Sequence, residues 1–287
     1  MTAMKAPNGL VFDPNQDAVA AIPAATVIVL RAGATSLEVF CVERHPKSRF
    51  MGGAVVFPGG KLDPVDTEVV RRGLAVGEAT RGQLFADACD PRLLAVAAAR
   101  ETLEEAAILP TDAPADVVRA LTEDVRGGAP FDACLGARGV VVRLDRLVAF
   151  ARWVTPVAEA RRFDARFFLL ELPPGQEAAH DGHETTTGFW ATPEEVLRRF
   201  GRGDIQLAPP TTRNLELLSG LKTFAEAETL ATQQSLLPIC PKFVPGDPPA
   251  LALPGDPAHD VSERWVVGPT RFVLRDGRFV GEDPPGR

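Results

Sequence analysis

Arg100-Glu101-Thr102-Leu103-Glu104-Glu105 is the stretch of this 287-residue chain that decides its fold. On a helix, Glu101 lies three residues from Glu104 and four from Glu105, so the three carboxylates share one face. Like charges at this spacing repel, at a cost of about 0.2–0.5 kcal/mol per pair on an isolated helix. A divalent cation would offset that repulsion, because Mg²⁺ prefers oxygen ligands. The alternative interpretation is a solvated acidic face, and the neighbouring sequence decides between the two.

The composition is that of a globular chain able to bury a sizeable core. Hydrophobic residues make up 45% and charged residues 24% of the chain, and the net charge is −7. This charge argues against a nucleic-acid partner, which requires a basic surface, but a small phosphate ligand is compatible with bound metal ions. No apolar run approaches the roughly 20 residues that span a bilayer. We therefore expect neither a nucleic-acid nor a membrane partner.

The cysteines are scattered along the chain and form no CxxC pair, a pattern typical of reduced thiols in a cytosolic protein. The first residues lack the apolar core of a signal peptide, and the last residues are not a Ser-Lys-Leu peroxisomal signal. We therefore expect a cytoplasmic protein, and the oligomeric state stays open between a monomer and a homodimer. The four cysteines are Cys41, Cys89, Cys134 and Cys240.

Hydrophobic patterning predicts a fold that mixes helices and strands. Residues 24–31 and 37–43 are β-rich on either side of a turn, which predicts a hairpin, and residues 54–57 predict a third strand. Asp90 followed by Pro91 predicts the start of a helix that continues to about residue 107. Further strands are expected over 152–156, 166–171 and 187–191, and helices over 78–90, 114–126, from Thr192 and over 210–231, with 143–151 helical or mixed.

A change of composition divides the chain near residue 232. We expect a core domain over residues 20–232 and a proline-rich extension over residues 233–287. The extension contains Asp276-Gly277, which is a strong signal for a hairpin turn.

Two segments together resemble the Nudix box, the loop–helix–loop signature G-x5-E-x7-R-E-U-x-E-E-x-G-U in which U is aliphatic. One is the glycine turn of residues 57–63 and the other is the helix that contains the acidic run. The matching residues are Gly60 for the first glycine, Arg100 and Glu101 for the Arg-Glu pair, Leu103 for the aliphatic position, Glu104 and Glu105 for the Glu pair, and Ile108 for the last position.

Three departures from the signature are visible. Asp66 stands where the family has Glu, and Ala107 stands where it has Gly. A left-handed helix end is less favourable at Ala107, so we expect Pro110 to stop the helix instead. The gap from Gly60 to Arg100 is 40 positions where the family has 14, an excess of 26 residues.

The 26 additional residues indicate a particular subgroup of the family. A Nudix subgroup similar to the peroxisomal acyl-CoA diphosphatase of mammals carries a long insertion at this place. The resemblance implies an α+β (mixed α/β) fold: a Nudix-type α/β/α sandwich with a mixed central sheet, a helical insertion and a C-terminal extension. We expect residues 67–90 to form a helical flap beside the catalytic helix that shapes the substrate pocket. Further similar segments are residues 44–51, 62–66, 152–156, 162–168 and 253–257.

The resemblance also implies metal-dependent hydrolysis of a diphosphate linkage. Glu101, Glu104 and Glu105 would hold Mg²⁺ or Mn²⁺, which would activate a water molecule as the nucleophile. Arg100 would orient the glutamates through a bidentate ion pair. The backbone at Gly59 and Gly60 would approach the metal or the phosphates, because glycine has no Cβ.

Several roles stay open. The general base is either a glutamate of the box, such as Glu105, or Glu184 on a later loop. A zinc site at His180 and His183 is disfavoured, because no third ligand stands at suitable spacing. The basic residues near the start of the box either bind substrate phosphates or form a solvated turn; they are Arg44, His45, Lys47 and Arg49.

Two further pairs of residues are interpreted structurally. Trp153 and Trp190 are expected to fill the core rather than to stack on a nucleobase. Arg162 and Asp164 are expected to pair with each other.

Three functions are compatible with the sequence. The first is cleavage of CoA or acyl-CoA to 3′,5′-ADP and (acyl-)phosphopantetheine. The second keeps the chemistry but acts on ADP-ribose, NADH, nucleotide sugars or dinucleoside polyphosphates. The third is a sensor that binds a nucleotide without cleaving it, and the complete set of glutamates argues against it.

Overall fold

The computed structural model describes residues 4–5, 11–13, 17, 19–46, 51–85, 89–182 and 185–284. The strands are β1 (Met4–Lys5), β2 (Val11–Phe12), β3 (Ile22–Ala32), β4 (Leu37–Arg44), β5 (Val55–Val56), β6 (Gly59–Lys61), β7 (Ala75–Val76), β8 (Val142–Arg143), β9 (Leu147–Val154), β10 (Phe163–Glu171), β11 (Thr185–Ala191), β12 (Lys242–Val244), β13 (Ala250–Ala252), β14 (Arg271–Arg275) and β15 (Arg278–Glu282). The helices are α1 (Pro64–Arg71), α2 (Pro91–Ala106), α3 (Ala115–Arg126), α4 (Phe131–Arg138), α5 (Pro193–Arg202), α6 (Pro209–Leu218) and α7 (Phe224–Gln233).

A seven-stranded mixed sheet forms the centre of the fold. Its order is β11-β4-β3-β10-β9, with β5 paired to β4 and β6 paired to β3. β10 runs parallel to β3, and the other pairs are antiparallel. β3 and β4 form the predicted hairpin, because the β-branched residues of β3 pack well on a pleated surface. The expected α+β class is therefore confirmed.

Helices cover both faces of this sheet, and each face has its own apolar core. α2 packs on one face together with α1, α3 and α4, and the core there includes Leu103 and Phe168. α5, α6 and α7 cover the other face, where the core includes Phe167 and Leu215. Neighbouring residues of β10 thus serve opposite cores, as the alternation of a strand requires. The arrangement is an α/β/α sandwich.

Helix α2 is buried more completely than its sequence pattern predicts. The Asp90 side chain accepts a hydrogen bond from the Arg92 N–H at 2.8 Å, and Pro91 lies in the first turn, as expected. Residues 94–99 are all buried, however, so the apolar surface is wider than one stripe. The side of α2 that faces away from the sheet is covered by α1, α3 and the 3-10 turn Gly82–Phe85.

Ala107 ends helix α2, so the expectation that Pro110 stops the helix is wrong. Ala107 is left-handed, with φ 59° and ψ 27°. Its N–H donates to the Leu103 carbonyl at 3.0 Å, and the Ile108 N–H donates to the Thr102 carbonyl at 3.4 Å. These bonds satisfy carbonyls that the helix end would leave without partners, which offsets the cost of a left-handed alanine.

The insertion is not a helical flap. Residues 67–71 complete α1, and the 3-10 turn Gly82–Phe85 replaces the helix predicted over 78–90. Between them, β7 pairs in parallel with β8. Phe85 is fully buried, with its ring edge-on to Phe168 at 5.5 Å. The described residues of the insertion support α2 from behind, and none of them lines the large cavity described below.

Two other sequence predictions are corrected. Residues 143–151 are not helical beyond the 3-10 turn Leu144–Arg146, because β9 begins at Leu147. The helix predicted over 210–231 divides into α6 and α7, since Thr223 caps a new helix by accepting a hydrogen bond from the Glu226 N–H.

The C-terminal residues form a four-stranded antiparallel sheet in the order β12-β13-β14-β15. Asp276 and Gly277 make the turn between β14 and β15, both with positive φ, as a two-residue hairpin requires. Leu251 and Phe272 of this sheet share the second core with Leu215. Among the described residues, no helix has the length and apolarity needed to cross a bilayer.

Replacing Ala107 with glycine is expected to stabilise the protein by about 0.5–1 kcal/mol, because glycine adopts the left-handed conformation without a Cβ clash. The free energy of unfolding in urea measures the effect. The matched control is Ala97→Gly within the same helix, which should destabilise by about 1 kcal/mol or more. Destabilisation by both substitutions would contradict the assignment of Ala107 as the helix stop.

Candidate active site

Arg100 is the centre of a buried ion-pair cluster. Its Nε lies 2.8 Å from Asp66 Oδ1, and the two side chains are 7% and 1% exposed. Its Nη1 lies 2.8 Å from Glu101 Oε1 and 3.5 Å from Glu104 Oε1. Nη2 donates to the Lys61 carbonyl at 2.9 Å. Burial lowers the pKa of Arg100, but the nearby carboxylates outweigh burial and raise it overall, so the guanidinium stays charged.

Asp66 connects the two halves of the box across the insertion. Its Oδ2 accepts a hydrogen bond from the Asp63 N–H at 2.7 Å and another from Arg100 Nη2 at 3.3 Å. The Asp63 side chain in turn caps helix α1. The aspartate that replaces the glutamate of the signature therefore fixes the start of α1 and contacts the catalytic helix, although 34 positions separate Asp66 from Arg100.

Gly60 packs directly against the carboxylate of Glu101. A Cβ at Gly60 would overlap the Glu101 carboxylate, so any other residue would force that carboxylate to move. Burial raises the pKa of Glu101 to about 7, with Arg100 opposing the rise and Glu104 adding to it. The glycine turn and the first glutamate of the acidic run thus form one packed unit.

Glu105 supports the glycine turn. Its side chain is buried, and its Oε2 accepts a hydrogen bond from the Gly59 N–H at 3.0 Å. Glu105 is not among the residues that line the large cavity, whereas Glu101 and Glu104 are. The acidic run therefore divides into two glutamates at the cavity and one that holds the turn.

A cavity of about 770 Å³ lies over these residues. Its polar part includes Glu101, Glu104 and residues 59–61, with Arg44 and His45 on the β4 side. Its apolar part lies over β9 and β10 and reaches the C-terminal sheet. The apolar lining residues of that part are Phe12, Trp153, Val154, Pro156, Phe163, Ala165, Phe167, Pro241 and Leu251.

The glutamates suit a hard divalent cation by their donor chemistry. They supply carboxylate oxygens from one helix, next to a glycine backbone that leaves room for an ion. They are not a preassembled metal cluster, since within the part of the chain that the structure describes no three His, Cys, Asp or Glu side chains converge as ligands. Glu101 is held by Arg100 and Glu105 by Gly59, so a cation would compete with these contacts.

The structure places some of the other sequence-predicted site residues. Arg44 and His45 line the cavity, whereas Lys47, Arg49, His183 and Glu184 lie outside the described residues. His180 belongs to the loop before β11 and is not a lining residue of the cavity.

Arg126 holds that loop against the catalytic helix. It donates to the Glu104 carbonyl at 2.8 Å, the Ala179 carbonyl at 2.7 Å and the His180 carbonyl at 3.3 Å. The Ala179 N–H also donates to the Ala106 carbonyl at 2.9 Å. The loop that precedes His183 and Glu184 is therefore attached to the C-terminal end of α2.

The predicted pair of Arg162 and Asp164 is wrong. Asp164 forms a bidentate pair with Arg152, at 2.9 and 2.7 Å, and also contacts Arg166 at 2.9 Å. Arg162 instead donates to the carbonyls of Thr155 and Val19. The antiparallel register of β9 and β10 brings Arg152 beside Asp164 and Arg166.

The tryptophans pack as expected, with one addition. Trp153 is 3% exposed and belongs to the second core, but its ring also lines the cavity. Trp190 packs against Phe40 and lies beneath the Arg31 guanidinium, whose Cζ is 4.2 Å from the ring centroid.

Several residues that line the cavity come from distant segments of the chain and were not predicted from the sequence. Strand alternation places Ala24 and Thr26 on one face, but the partners of that face depend on sheet order. Lys61, which directly follows the glycine turn, could have been selected as a basic neighbour of the box. The lining residues that were not predicted from the sequence include Phe12, Ala24, Lys61, Phe163, Ala165 and Leu251.

Comparison with known proteins agrees with this geometry. A family sequence model described as the NUDT19 Nudix domain matches residues 78–218. A crystal structure of a Nudix hydrolase from Alicyclobacillus acidocaldarius is 33% identical, with a TM-score of 0.62, over 74% of this chain and 96% of that one. The chain therefore belongs to the Nudix hydrolases.

Two curated relatives indicate the branch of the family that this chain resembles. The acyl-coenzyme A diphosphatase NUDT19 of Gallus gallus is 26% identical over 86% of this chain and 79% of that protein. The protein of the same name from Xenopus laevis is 27% identical over 76% of this chain and 70% of its own length. This Nudix hydrolase thus resembles the acyl-CoA diphosphatases in sequence.

Replacing Asp66 with alanine is expected to lower the free energy of unfolding by about 3–5 kcal/mol, because Arg100 would stay buried without its main partner. Urea unfolding measures the loss. Glu68→Ala is the control, since Glu68 pairs with Arg71 at the surface and its side chain is 45% exposed. That control should cost less than about 1 kcal/mol. Equal effects of the two substitutions would refute the central role of Asp66.

Replacing Gly60 with alanine is expected to displace the Glu101 carboxylate and to lower kcat at least tenfold, while the protein stays folded. The control is Gly201→Ala in helix α5, where an added Cβ meets nothing within 4 Å. That control should keep the wild-type rate and gain about 0.5–1 kcal/mol of stability. Steady-state kinetics and circular dichroism of both variants check the prediction, and a fully active Gly60→Ala would contradict the packing described above.

Proposed function

We propose that this Nudix hydrolase is a metal-dependent diphosphatase that cleaves CoA or acyl-CoA to 3′,5′-ADP and (acyl-)phosphopantetheine. The observation that carries the proposal is the cavity, where Glu101 and Glu104 lie between basic residues on one side and apolar residues on the other. A nucleotide joined through a diphosphate to a less polar arm matches this order of charges. The relatives from chicken and frog, named acyl-CoA diphosphatases, support the same substrate class.

Nudix hydrolases generally use divalent metals such as Mg²⁺ or Mn²⁺. We propose that Glu101, Glu104 and Glu105 hold such a cation here, with the Gly60 backbone beside it. When bound, the cation neutralises charge on the diphosphate and activates water for attack on phosphorus.

The residues of the chain itself orient the substrate. Arg100 fixes Glu101 and holds the glycine turn through the Lys61 carbonyl. Lys61 and Arg44 line the cavity as cations, and His45 lies beside them. Their positive charge would attract phosphate oxygens and position the diphosphate over the glutamates.

For the general base, the alternatives are Glu105 and Glu184. Glu105 is buried, accepts the Gly59 N–H and is one of the proposed cation ligands, so its carboxylate already has two roles. We therefore propose Glu184 as the proton acceptor.

Three further proposals concern the domain division, the location and the oligomeric state. We propose a catalytic domain over residues 20–232 with residues 233–287 as its extension, and a cytoplasmic location. The four cysteines support the location because they are free thiols. A homodimer is a proposal that analytical ultracentrifugation would test.

A substrate panel tests the proposed activity. The purified protein is incubated with Mg²⁺ or Mn²⁺ and with CoA, acyl-CoA, ADP-ribose, NADH or diadenosine polyphosphates, and products are followed by chromatography. Release of 3′,5′-ADP from CoA or its thioesters is expected. Turnover of ADP-ribose without turnover of CoA would move the assignment to nucleotide-sugar-like substrates, and no turnover at all would refute it.

Replacing Glu104 with glutamine is expected to lower kcat about 10²–10³-fold. The proposed cation, which would stabilise charge on the diphosphate, would lose one of its carboxylate ligands. Circular dichroism should be unchanged, since the Glu104 side chain is 37% exposed. Glu123→Gln on helix α3 is the matched control, because Glu123 is exposed and does not line the cavity. A Glu104→Gln variant with a near-normal rate would show that the metal assignment is wrong.

A further inference from the structure

The cavity is basic at one end and mostly apolar at the other, and the order of the strands sets this arrangement. Residues 42–43 of β4 pair with β5, and residues 24–26 of β3 pair with β6. The glycine turn, which continues from β5 into β6, therefore separates Arg44 at the end of β4 from β10 and β9 on the far side of β3. Glu101 packs on this turn, so the reacting centre lies between two ends of the cavity.

One end suits a phosphorylated group. Arg44 and His45 line it, and Arg44 Nε is buried with no hydrogen-bond partner among the described residues. A buried donor of this kind is costly unless a ligand or water satisfies it. The nucleotide half of the substrate would satisfy it through a phosphate oxygen.

The floor toward the other end is built from small side chains. Lys61 is opposite Ala24, Ala24 is opposite Ala165, and Ala165 is opposite Trp153. Three strand spacings separate Lys61 from Trp153, which amounts to about 14 Å. The two alanines in between leave an open groove, because larger side chains would fill it.

An apolar wall closes this groove. Leu251 and Pro241 of the C-terminal extension line it together with Phe12. The Phe12 ring stacks on Phe243 at 5.1 Å and lies edge-on to Phe279 at 6.0 Å, so its position is fixed by the extension.

Two charged residues also lie at this end. Arg161 lies over the Phe163 ring at 5.4 Å and is exposed. Glu159 is buried and also lines this end. The other lining residues here are mostly apolar, so this end suits a neutral, apolar group.

We infer that the far end of this groove, at Leu251, binds the acyl chain of an acyl-CoA thioester, so that the C-terminal extension selects thioesters over free CoA. This inference rests on the proposed function and adds to it the orientation of the substrate and the residues that set chain preference. The nucleotide half would lie at Arg44, the diphosphate at Glu101, the pantetheine arm along Ala24 and Ala165, and the acyl chain at Leu251.

The test compares kcat/KM for CoA with that for acetyl-, octanoyl- and dodecanoyl-CoA, below the concentrations at which long thioesters form micelles. The wild-type ratio of dodecanoyl-CoA to CoA should exceed tenfold, with gains of up to about fourfold for each methylene that is fully buried. Leu251→Trp should lower this ratio at least tenfold. Val267→Trp is the control in the same extension, because Val267 is 62% exposed and does not line the cavity, and it should keep the wild-type ratio.

Ala165→Leu provides a second variant in case Leu251→Trp does not fold. Ala165 is only partly buried, so the larger side chain would extend into the groove rather than into packed core. Its ratio of dodecanoyl-CoA to CoA should also fall at least tenfold.

Product inhibition tests the orientation independently. Leu251→Trp should raise the inhibition constant of the acyl-phosphopantetheine product and leave that of 3′,5′-ADP unchanged, and Arg44→Ala should do the reverse. The opposite pattern would show that the nucleotide occupies the apolar groove and would overturn the inference.

The outcomes separate the inference from the proposed function. Turnover of CoA and its thioesters with a flat chain-length profile, or variants with the wild-type ratio, would overturn the inference and leave the diphosphatase activity in place. Absence of turnover for CoA and for every thioester would refute the proposed function and the inference together.

Discussion

The buried ion pair between Asp66 and Arg100 is the interaction on which the site depends. Asp66 fixes the Arg100 guanidinium, which also contacts Glu101 and the Lys61 carbonyl, and Asp66 accepts the N–H of Asp63, the residue that caps helix α1. Breaking such a pair costs about 3–5 kcal/mol. The segment between Asp66 and Arg100 spans 34 positions, about four times the spacing in the signature. A fourfold longer loop costs only about 1.2 kcal/mol more in closure entropy. The pair can therefore hold the two halves of the box together across the insertion.

Local sequence signals were sufficient to predict the secondary-structure elements nearest the candidate active site. The hairpin of β3 and β4 follows from alternating β-branched residues, and the start of α2 follows from Asp90 and Pro91. Each of these signals acts over a few residues, so no tertiary information was required. The glycine turn and the acidic run were also recognisable, because their chemistry leaves few substitutions open.

Several predictions that depended on tertiary context were wrong. Arg162 and Asp164 are close in sequence, but the register of β9 and β10 places Asp164 beside Arg152. A helix is expected over 78–90, but Gly82–Phe85 form a 3-10 turn in which Phe85 is buried against Phe168. Ala107 takes a left-handed conformation that its own propensity disfavours, because the hydrogen bonds of the helix end outweigh that cost. The cavity could not be predicted, since its walls come from segments whose neighbours only the sheet order defines.

The stacking of Phe12 on Phe243 has a consequence for how the enzyme matures. The glycine turn, the ion pair and the catalytic helix all lie within residues 59–106 and can assemble while the ribosome is still translating later codons. The wall beside Leu251 cannot, because it joins a segment made first to segments made last, and contacts this distant in sequence form slowly. A nascent chain would thus form the glycine turn and the acidic run before the wall at Leu251. The selectivity that we infer for the C-terminal extension would therefore be acquired only when the final strands have folded.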